Sequence, residues 1–114
     1  MTHEPGQSIP AGEAVPLVES GALWLLDVRE AYEWNTGHAP AAHHIPLGEL
    51  GLRQHELPED VRIAVICHLG QRSRMVTDAL VGAEYDAVDV AGGMVAWQAS
   101  GGMVVVPDDS GRAG

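Results

Sequence analysis

The stretch IAVICHLGQRSRMVTDAL, residues 63–80, decides the fold. It begins with a continuous apolar run, which is typical of a strand buried on both faces of a sheet. A short polar loop with a glycine follows, and from Met75 to Leu80 the apolar residues recur at helical spacing. The only cysteine of the chain, Cys67, stands where the strand passes into the loop. The stretch therefore predicts a strand, a loop and a helix, with the thiol at the carboxyl end of the strand.

The segments on either side continue this alternation of strands and helices. Further strands are predicted in SIP (8–10), ALWLLDV (22–28), AAHHIPL (41–47) and YDAVDVAGG (85–93). Further helices are predicted in REAYEWNTG (29–37), weakly in LGELGLRQHELPED (47–60), and in GMVAWQASGG (93–102). For the first helix, Pro16 would break a helix begun at Ala11 but suits the first turn of one begun near Val15. The pattern predicts an α/β domain with a mostly parallel sheet of about five strands and helices on both faces.

Length and composition limit the classes of protein to consider. A chain of 114 residues is expected to form one domain, here residues 8–106, between flexible ends at 1–7 and 107–114. The net charge of −10, without any lysine, argues against nucleic acid and anionic membranes as partners. No apolar run is long enough to span a membrane, and the N-terminus lacks the pattern of a secretory signal. With one cysteine, no internal disulfide is possible, so a cytoplasmic location is expected.

The charge is spread unevenly along the chain. Residues 53–74 carry a net charge of +1, whereas the remaining residues carry −11. One interpretation is chance, since the segment is short. The other is a local anion site around Cys67 on an otherwise acidic surface.

Residues 67–73, CHLGQRS, which we call the Cys67 loop, combine three features that favour anion binding. A central glycine allows the loop to turn its backbone N–H groups inward, and the following helix adds the positive end of its dipole. Both effects favour the thiolate of Cys67, and Arg72 can present a fork of donors to an oxyanion. Such a site suits transfer of a sulfur atom or an oxyanion group. The alternative is that Cys67 is a core thiol, because free cysteines are often buried.

Four ordered segments together resemble a single-domain rhodanese, a family of sulfurtransferases. They are LLDVREAYEWNTGH (25–38), HHIPLGEL (43–50), IAVICHLGQRS (63–73) and YDAVDVAGGMVAW (85–97). Each segment is weak evidence by itself, but their order and spacing are specific. The resemblance covers about residues 8–106 and implies the rhodanese-like α/β fold, with the active loop after the central strand.

The resemblance also implies a mechanism and a set of site residues. Cys67 would take sulfur from a small anionic or persulfide donor, become a persulfide, and pass the outer sulfur to a thiol or protein acceptor. The loop that would hold the substrate consists of His68, Leu69, Gly70, Gln71, Arg72 and Ser73. Neither a metal nor an organic cofactor is implied. Four residues separate Cys67 from Arg72, whereas related phosphatases have one more, which argues against a phosphatase.

The Cys67 loop departs from the common form of the family at one position. Many members have arginine or lysine directly after the cysteine, where this chain has His68. The loss of one fixed charge makes doubly charged thiosulfate a poorer donor and favours an uncharged or protein-bound persulfide. Alternatively, His68 is a solvent-facing residue without a role. The second function to consider is a rhodanese-fold module that binds a partner or senses oxidants without turnover.

Two further groups of residues invite a functional interpretation. Asp27 and Arg29 flank the end of the strand in ALWLLDV, and one of them could touch the Cys67 loop. A structural ion pair that ties this strand to the next helix is the favoured interpretation. The spacing of His38, His43 and His44 matches no standard metal pattern. The resemblance implies a structural hydrogen bond for His38, which matches the GH pair of the family.

Overall fold

The computed structural model describes residues 3–107 of the chain. Its strands are β1 (Ser8–Pro10), β2 (Leu23–Asp27), β3 (His43–His44), β4 (Arg62–Ile66) and β5 (Ala87–Ala91). Its helices are α1 (Ala11–Glu19), α2 (Ala31–Trp34), α3 (Leu50–Arg53), α4 (Gln71–Gly82) and α5 (Gly93–Ala99). Two 3-10 turns, Leu47–Glu49 and Gln54–Glu56, flank α3 and replace the single weak helix that the sequence predicts there.

The strands form one sheet in the order β1-β5-β4-β2-β3. Within residues 3–107, every pairing between these strands is parallel. The predicted parallel sheet of about five strands is thus confirmed. The central strand is β4, and the carboxyl ends of all the strands lie at one edge, where α/β sheets bind ligands.

Helices cover both faces of the sheet, as predicted. Alternate residues of a strand point to opposite faces, so Ala64 and Ile66 pack with α1 and α5, whereas Ile63 and Val65 pack with α4 and the segment around α3. Cys67 packs with Ile63 and Val65 on the α4 side of the sheet. Cys67 is therefore a core residue, and the loop that follows it lies at the edge of the sheet.

The prediction for the first helix is wrong at its start. Helix α1 begins at Ala11 and contains Pro16 in its interior. Pro16 has no N–H for the carbonyl of Gly12, four residues earlier, but both residues are exposed, so water can satisfy that carbonyl. The apolar face of Ala11, Ala14 and Val18 packs in the core and outweighs the local disadvantage of the proline.

Both ends of the described chain contact the domain. The N–H of Gly6 donates to the carbonyl of Ala87 at 2.7 Å, which extends the β1 edge toward the N-terminus. Val105 forms an isolated antiparallel bridge with His38. Most of the predicted C-terminal tail, residues 108–114, lies outside the described residues. Within the described part of the chain, no helix has both the length and the apolar character needed to cross a bilayer.

Candidate active site

The loop that follows β4 is shaped by Gly70. This residue has a φ of +110°, a conformation that favours glycine, and it immediately precedes α4. A Cβ atom at Gly70 would lie 3.3 Å from the backbone nitrogen of Gly92. The glycine predicted to turn the Cys67 loop is therefore required both by its backbone conformation and by the close packing of the next loop.

Two backbone N–H groups point at the sulfur of Cys67. The N–H of Gly70 lies 3.1 Å from Sγ, and that of Ser73 lies 3.3 Å from it. Cys67 is only 1% exposed, so these donors act in a largely water-free setting. N–H groups preorganised around a sulfur stabilise negative charge on it, as the sequence predicts for this loop.

A buried hydroxyl–carboxylate network supports the far side of the sulfur. Sγ of Cys67 lies 3.4 Å from Oγ of Ser73, which donates a hydrogen bond to Asp89 in β5. Asp89 is only 3% exposed, and it also accepts a hydrogen bond of 2.8 Å from Oγ of Ser8. The network ties the Cys67 loop to β5 and β1, so two neighbouring strands fix the position of Ser73.

The start of α5 holds the backbone of the Cys67 loop in place. The N–H of Met94 donates to the carbonyl of Cys67 at 2.8 Å, and that of Val95 donates to the carbonyl of His68 at 3.3 Å. A Cβ at Gly93 would lie 2.5 Å from both of these carbonyl oxygens. Gly93 is thus explained by a close approach of two backbones, whereas a Cβ at Gly92 would lie 2.6 Å from Cβ of Ala96.

Arg72 is held by a carboxylate of α2. Its Nη1 and Nη2 donate to Oε1 and Oε2 of Glu33 at 2.7 and 2.8 Å, an arrangement of two parallel charge-assisted bonds. The hydrogen bonds from Arg72 lower the pKa of Glu33 to about 2 although partial burial opposes the shift. The same contact with Glu33 raises the pKa of Arg72 above its usual value.

The remaining predicted loop residues lie at the surface. His68, Leu69 and Gln71 are exposed, and Leu69 shows 59% of its surface to solvent. The structure thus brings the N–H groups of Gly70 and Ser73 and the Ser73 hydroxyl to the Cys67 sulfur, whereas Arg72 is paired with Glu33.

Asp27 and Arg29 form the predicted structural ion pair. Arg29 donates to both carboxylate oxygens of Asp27 at 2.8 to 3.1 Å, and both residues are buried. Arg29 also donates to the carbonyls of Glu33 and Gly37, at 3.3 and 2.8 Å. The pair therefore anchors α2 to the end of β2. Its link to the Cys67 loop is indirect, because Arg29 contacts Glu33 and Glu33 in turn contacts Arg72.

The histidines make stacking and hydrogen-bonding contacts. Trp34 stacks between His38 and His44, with ring centroids 3.5 and 4.6 Å apart. His38 Nδ1 lies 3.1 Å from the carbonyl of Trp34, which is the structural hydrogen bond expected from the sequence. Within residues 3–107, no three His, Cys, Asp or Glu side chains are arranged to hold a metal ion.

Two residues of the site escaped the sequence analysis, for different reasons. Glu33 lies 39 positions before Arg72, and nothing local in the sequence links the two. Asp89 offered a signal, because a carboxylate within the apolar run AVDVA of a central strand must be partnered when it is buried. Ser73, a buried serine two residues after the first residue of α4, is its partner.

Fold and site together define an α/β protein with a cysteine at the head of a loop whose backbone N–H groups point at its sulfur. The profile of the Rhodanese-like domain family matches residues 11–100. The chain is 42% identical over 77 residues to the "Putative sulfur carrier protein YrkF" of Bacillus subtilis, a match covering 67% of this chain and 42% of that protein. The chain thus spans less than half the length of that relative.

Solved structures agree with this match. A rhodanese-related protein from Thermoplasma volcanium superposes with a TM-score of 0.82 at 34% identity, covering 89% of this chain and 99% of the other. A rhodanese-like domain protein from Staphylococcus aureus gives a TM-score of 0.79 at 29% identity, covering 90% and 99%. The chain belongs to the family of rhodanese-like domains, and its sequence resemblance to that family is confirmed.

Proposed function

We propose that this domain is a sulfurtransferase in which Cys67 carries sulfane sulfur as a persulfide. The observation that carries the proposal is the convergence of the Gly70 and Ser73 N–H groups on the Cys67 sulfur. A sulfur held this way is suited to be both nucleophile and leaving group, because both roles place negative charge on it. The donor is thiosulfate or a persulfide, and the acceptor is a small thiol or a protein thiol.

The reaction has two balanced steps. In the first, the Cys67 thiolate attacks the outer sulfur of the donor, an Sγ–S bond forms, and the bond from that sulfur to the rest of the donor breaks. The leaving group departs with the electron pair, as a thiol after protonation or as sulfite. In the second, the acceptor thiolate attacks the outer sulfur of the Cys67 persulfide and the Cys67 thiolate is released. No external oxidant or reductant is needed.

The size of the loop supports sulfur over phosphate as the transferred group. Four residues separate Cys67 from Arg72, and the N–H groups close tightly enough to lie within hydrogen-bond distance of Sγ. The relative YrkF is named as a sulfur carrier. We further propose that the domain works in the cytoplasm, where a single cysteine stays reduced.

The test is intact-mass spectrometry of the purified protein after incubation with thiosulfate and, separately, with cysteine persulfide. We expect a gain of one sulfur, about 32 Da, that maps to Cys67 and disappears on adding a reductant or an acceptor thiol. Cys67→Ser should keep its melting temperature and lose the gain, since it removes the nucleophile alone.

Two outcomes would contradict the proposal. Loading that persists in Cys67→Ser would refute Cys67 as the carrier. Failure of both donors to load the wild-type chain would instead favour the second function, a module that binds a partner or senses oxidants without turnover.

A further inference from the structure

Arg72 is the only arginine of the Cys67 loop, and its guanidinium is already engaged in an ion pair with Glu33. Both of its terminal nitrogens donate to Glu33, whose side chain is only 16% exposed. Glu33 is held in turn, because its Oε1 accepts a hydrogen bond of 3.0 Å from the backbone N–H of Glu30. The carboxylate cannot turn away from Arg72 without losing that contact as well.

In the described part of the chain, no other arginine supplies a free positive charge. Each of the five arginines within residues 3–107 forms an ion pair with a carboxylate, and the pairs are Arg29–Asp27, Arg53–Glu49, Arg62–Asp86, Arg72–Glu33 and Arg74–Asp78. The whole chain carries a charge of −10. A dianion approaching Cys67 therefore meets a repulsive long-range field and a neutralised cation at the rim.

We propose that Glu33 is the residue that sets the charge of the sulfur donor: by neutralising Arg72 it selects neutral or singly charged persulfides and disfavours thiosulfate. The inference rests on the proposed function and names the donor class of the same site. One cause that disfavours thiosulfate is already present at His68, where a fixed positive charge is missing. Glu33 is a second, independent cause, because it neutralises Arg72, a charge that the loop does contain.

The leaving groups explain why the charge of the pair matters. With a persulfide R–S–SH, the Cys67 thiolate takes the outer sulfur, the S–S bond breaks, and a thiol leaves after protonation, so no multiply charged product forms. With thiosulfate, the same attack releases sulfite, a dianion, beside the new persulfide anion. Backbone N–H groups can hold one negative charge, but the sulfite path concentrates charge where only a paired arginine is present.

Glu33→Gln tests the proposal with little change of shape. Glutamine keeps one oxygen to accept from Glu30 or Arg72, while the negative charge is lost. We expect kcat/KM for Cys67 loading by thiosulfate to rise about tenfold, chiefly through KM, because one unit of charge is changed close to a dianion. Loading by a neutral persulfide, for example an ester-capped cysteine persulfide, should stay within about twofold.

The matched control is Glu30→Gln, which changes the net charge equally and lies three residues away on an exposed position. Its ratio of thiosulfate to persulfide loading should stay within about twofold of the wild type, since Glu30 does not hold Arg72. If both variants raised thiosulfate loading equally, net charge and not the Glu33–Arg72 pair would be the cause, and the proposal would fail.

Salt dependence of the unmodified protein gives a second measurement that needs no variant. Added salt screens the acidic surface, so we expect thiosulfate loading of the wild type to rise with ionic strength. Thiosulfate loading of Glu33→Gln should rise less steeply with salt, because salt then also screens the attraction between the donor and a free arginine. A wild type whose thiosulfate loading falls steeply with salt would have a free cation and would overturn the inference.

The inference and the proposed function fail in different ways. Absence of loading of the wild type by the neutral persulfide contradicts the sulfurtransferase itself. Normal persulfide loading with an unchanged donor ratio in Glu33→Gln contradicts only the role of Glu33.

Discussion

Replacing Gly93, at the start of α5, by alanine should displace the backbone of the Cys67 loop without changing any side chain of the site. Gly93 has a φ of +60°, and an added Cβ would lie 2.5 Å from the carbonyl oxygens of both Cys67 and His68. Neither neighbour is the flexible end of a side chain. The two backbones must therefore move apart, and the hydrogen bonds from Met94 and Val95 to those carbonyls must lengthen.

The expected loss of stability has two parts. An alanine with positive φ costs about 1–2 kcal/mol relative to glycine. Weakening the two hydrogen bonds costs a further 0.5–1.5 kcal/mol each, roughly. The free energy of unfolding of Gly93→Ala should therefore fall by about 2–5 kcal/mol, and sulfur loading should fall about tenfold or more because the N–H groups around Sγ shift with the loop.

Gly21→Ala is the matched control for the backbone part. Gly21 has a φ of +86°, and an added Cβ there meets no atom within 4 Å. Thermal unfolding should place Gly93→Ala at least about 4 °C below Gly21→Ala, whose sulfur loading should equal that of the wild type. Equal melting temperatures with normal loading in both variants would refute the idea that contact with α5 shapes the loop.

Two further predictions concern stability. Because the pKa of Glu33 is lowered to about 2 from 4.5, its pair with Arg72 stabilises the fold above about pH 4.5, and this contribution is lost between pH 4.5 and 2. The contribution amounts to about 1–3 kcal/mol, since Arg72 is partly exposed to solvent. In urea unfolding, the free energies of unfolding of wild type and Glu33→Gln should differ at pH 6 and differ much less at pH 3. An equal difference at both pH values would contradict the prediction. Pro16→Ala should raise the free energy of unfolding by about 1–2 kcal/mol, because alanine restores a hydrogen bond to Gly12 and loses little packing at an exposed site. An unchanged or lower urea midpoint would show that the proline does not strain α1.

The fold follows from the sequence wherever burial dictates the pattern. The runs LWLLD and RIAVI are apolar on both faces because helices cover both faces of the sheet, and both form central strands. The position of Cys67 at a carboxyl end follows directly from them. The predicted start of α1 is wrong because the packing of Ala11 and Ala14 against the sheet outweighs the local effect of Pro16.

The site was predictable only in its local part. The turn at Gly70 and the N–H groups of the Cys67 loop depend on neighbouring residues, so the segment CHLGQRS carries that information. The charge of the site depends on a tertiary contact between α2 and α4, which no short-range pattern encodes. A sequence containing Arg72 therefore predicts an anion site, whereas the structure shows this arginine paired with Glu33.

The pair between Arg72 and Glu33 also has a consequence for local unfolding. Helix α2 is four residues long and contains no buried residue, so it is too short to be stable alone. Two contacts hold it to the rest of the domain: the ion pair between Glu33 and Arg72, and the hydrogen bond from Arg29 to the carbonyl of Glu33. A ligand that bound Arg72 would break its ion pair with Glu33, and the backbone amides of α2 would then exchange with solvent faster. Hydrogen exchange in this short helix would then record whether the arginine beside Cys67 is engaged by substrate or by its own chain.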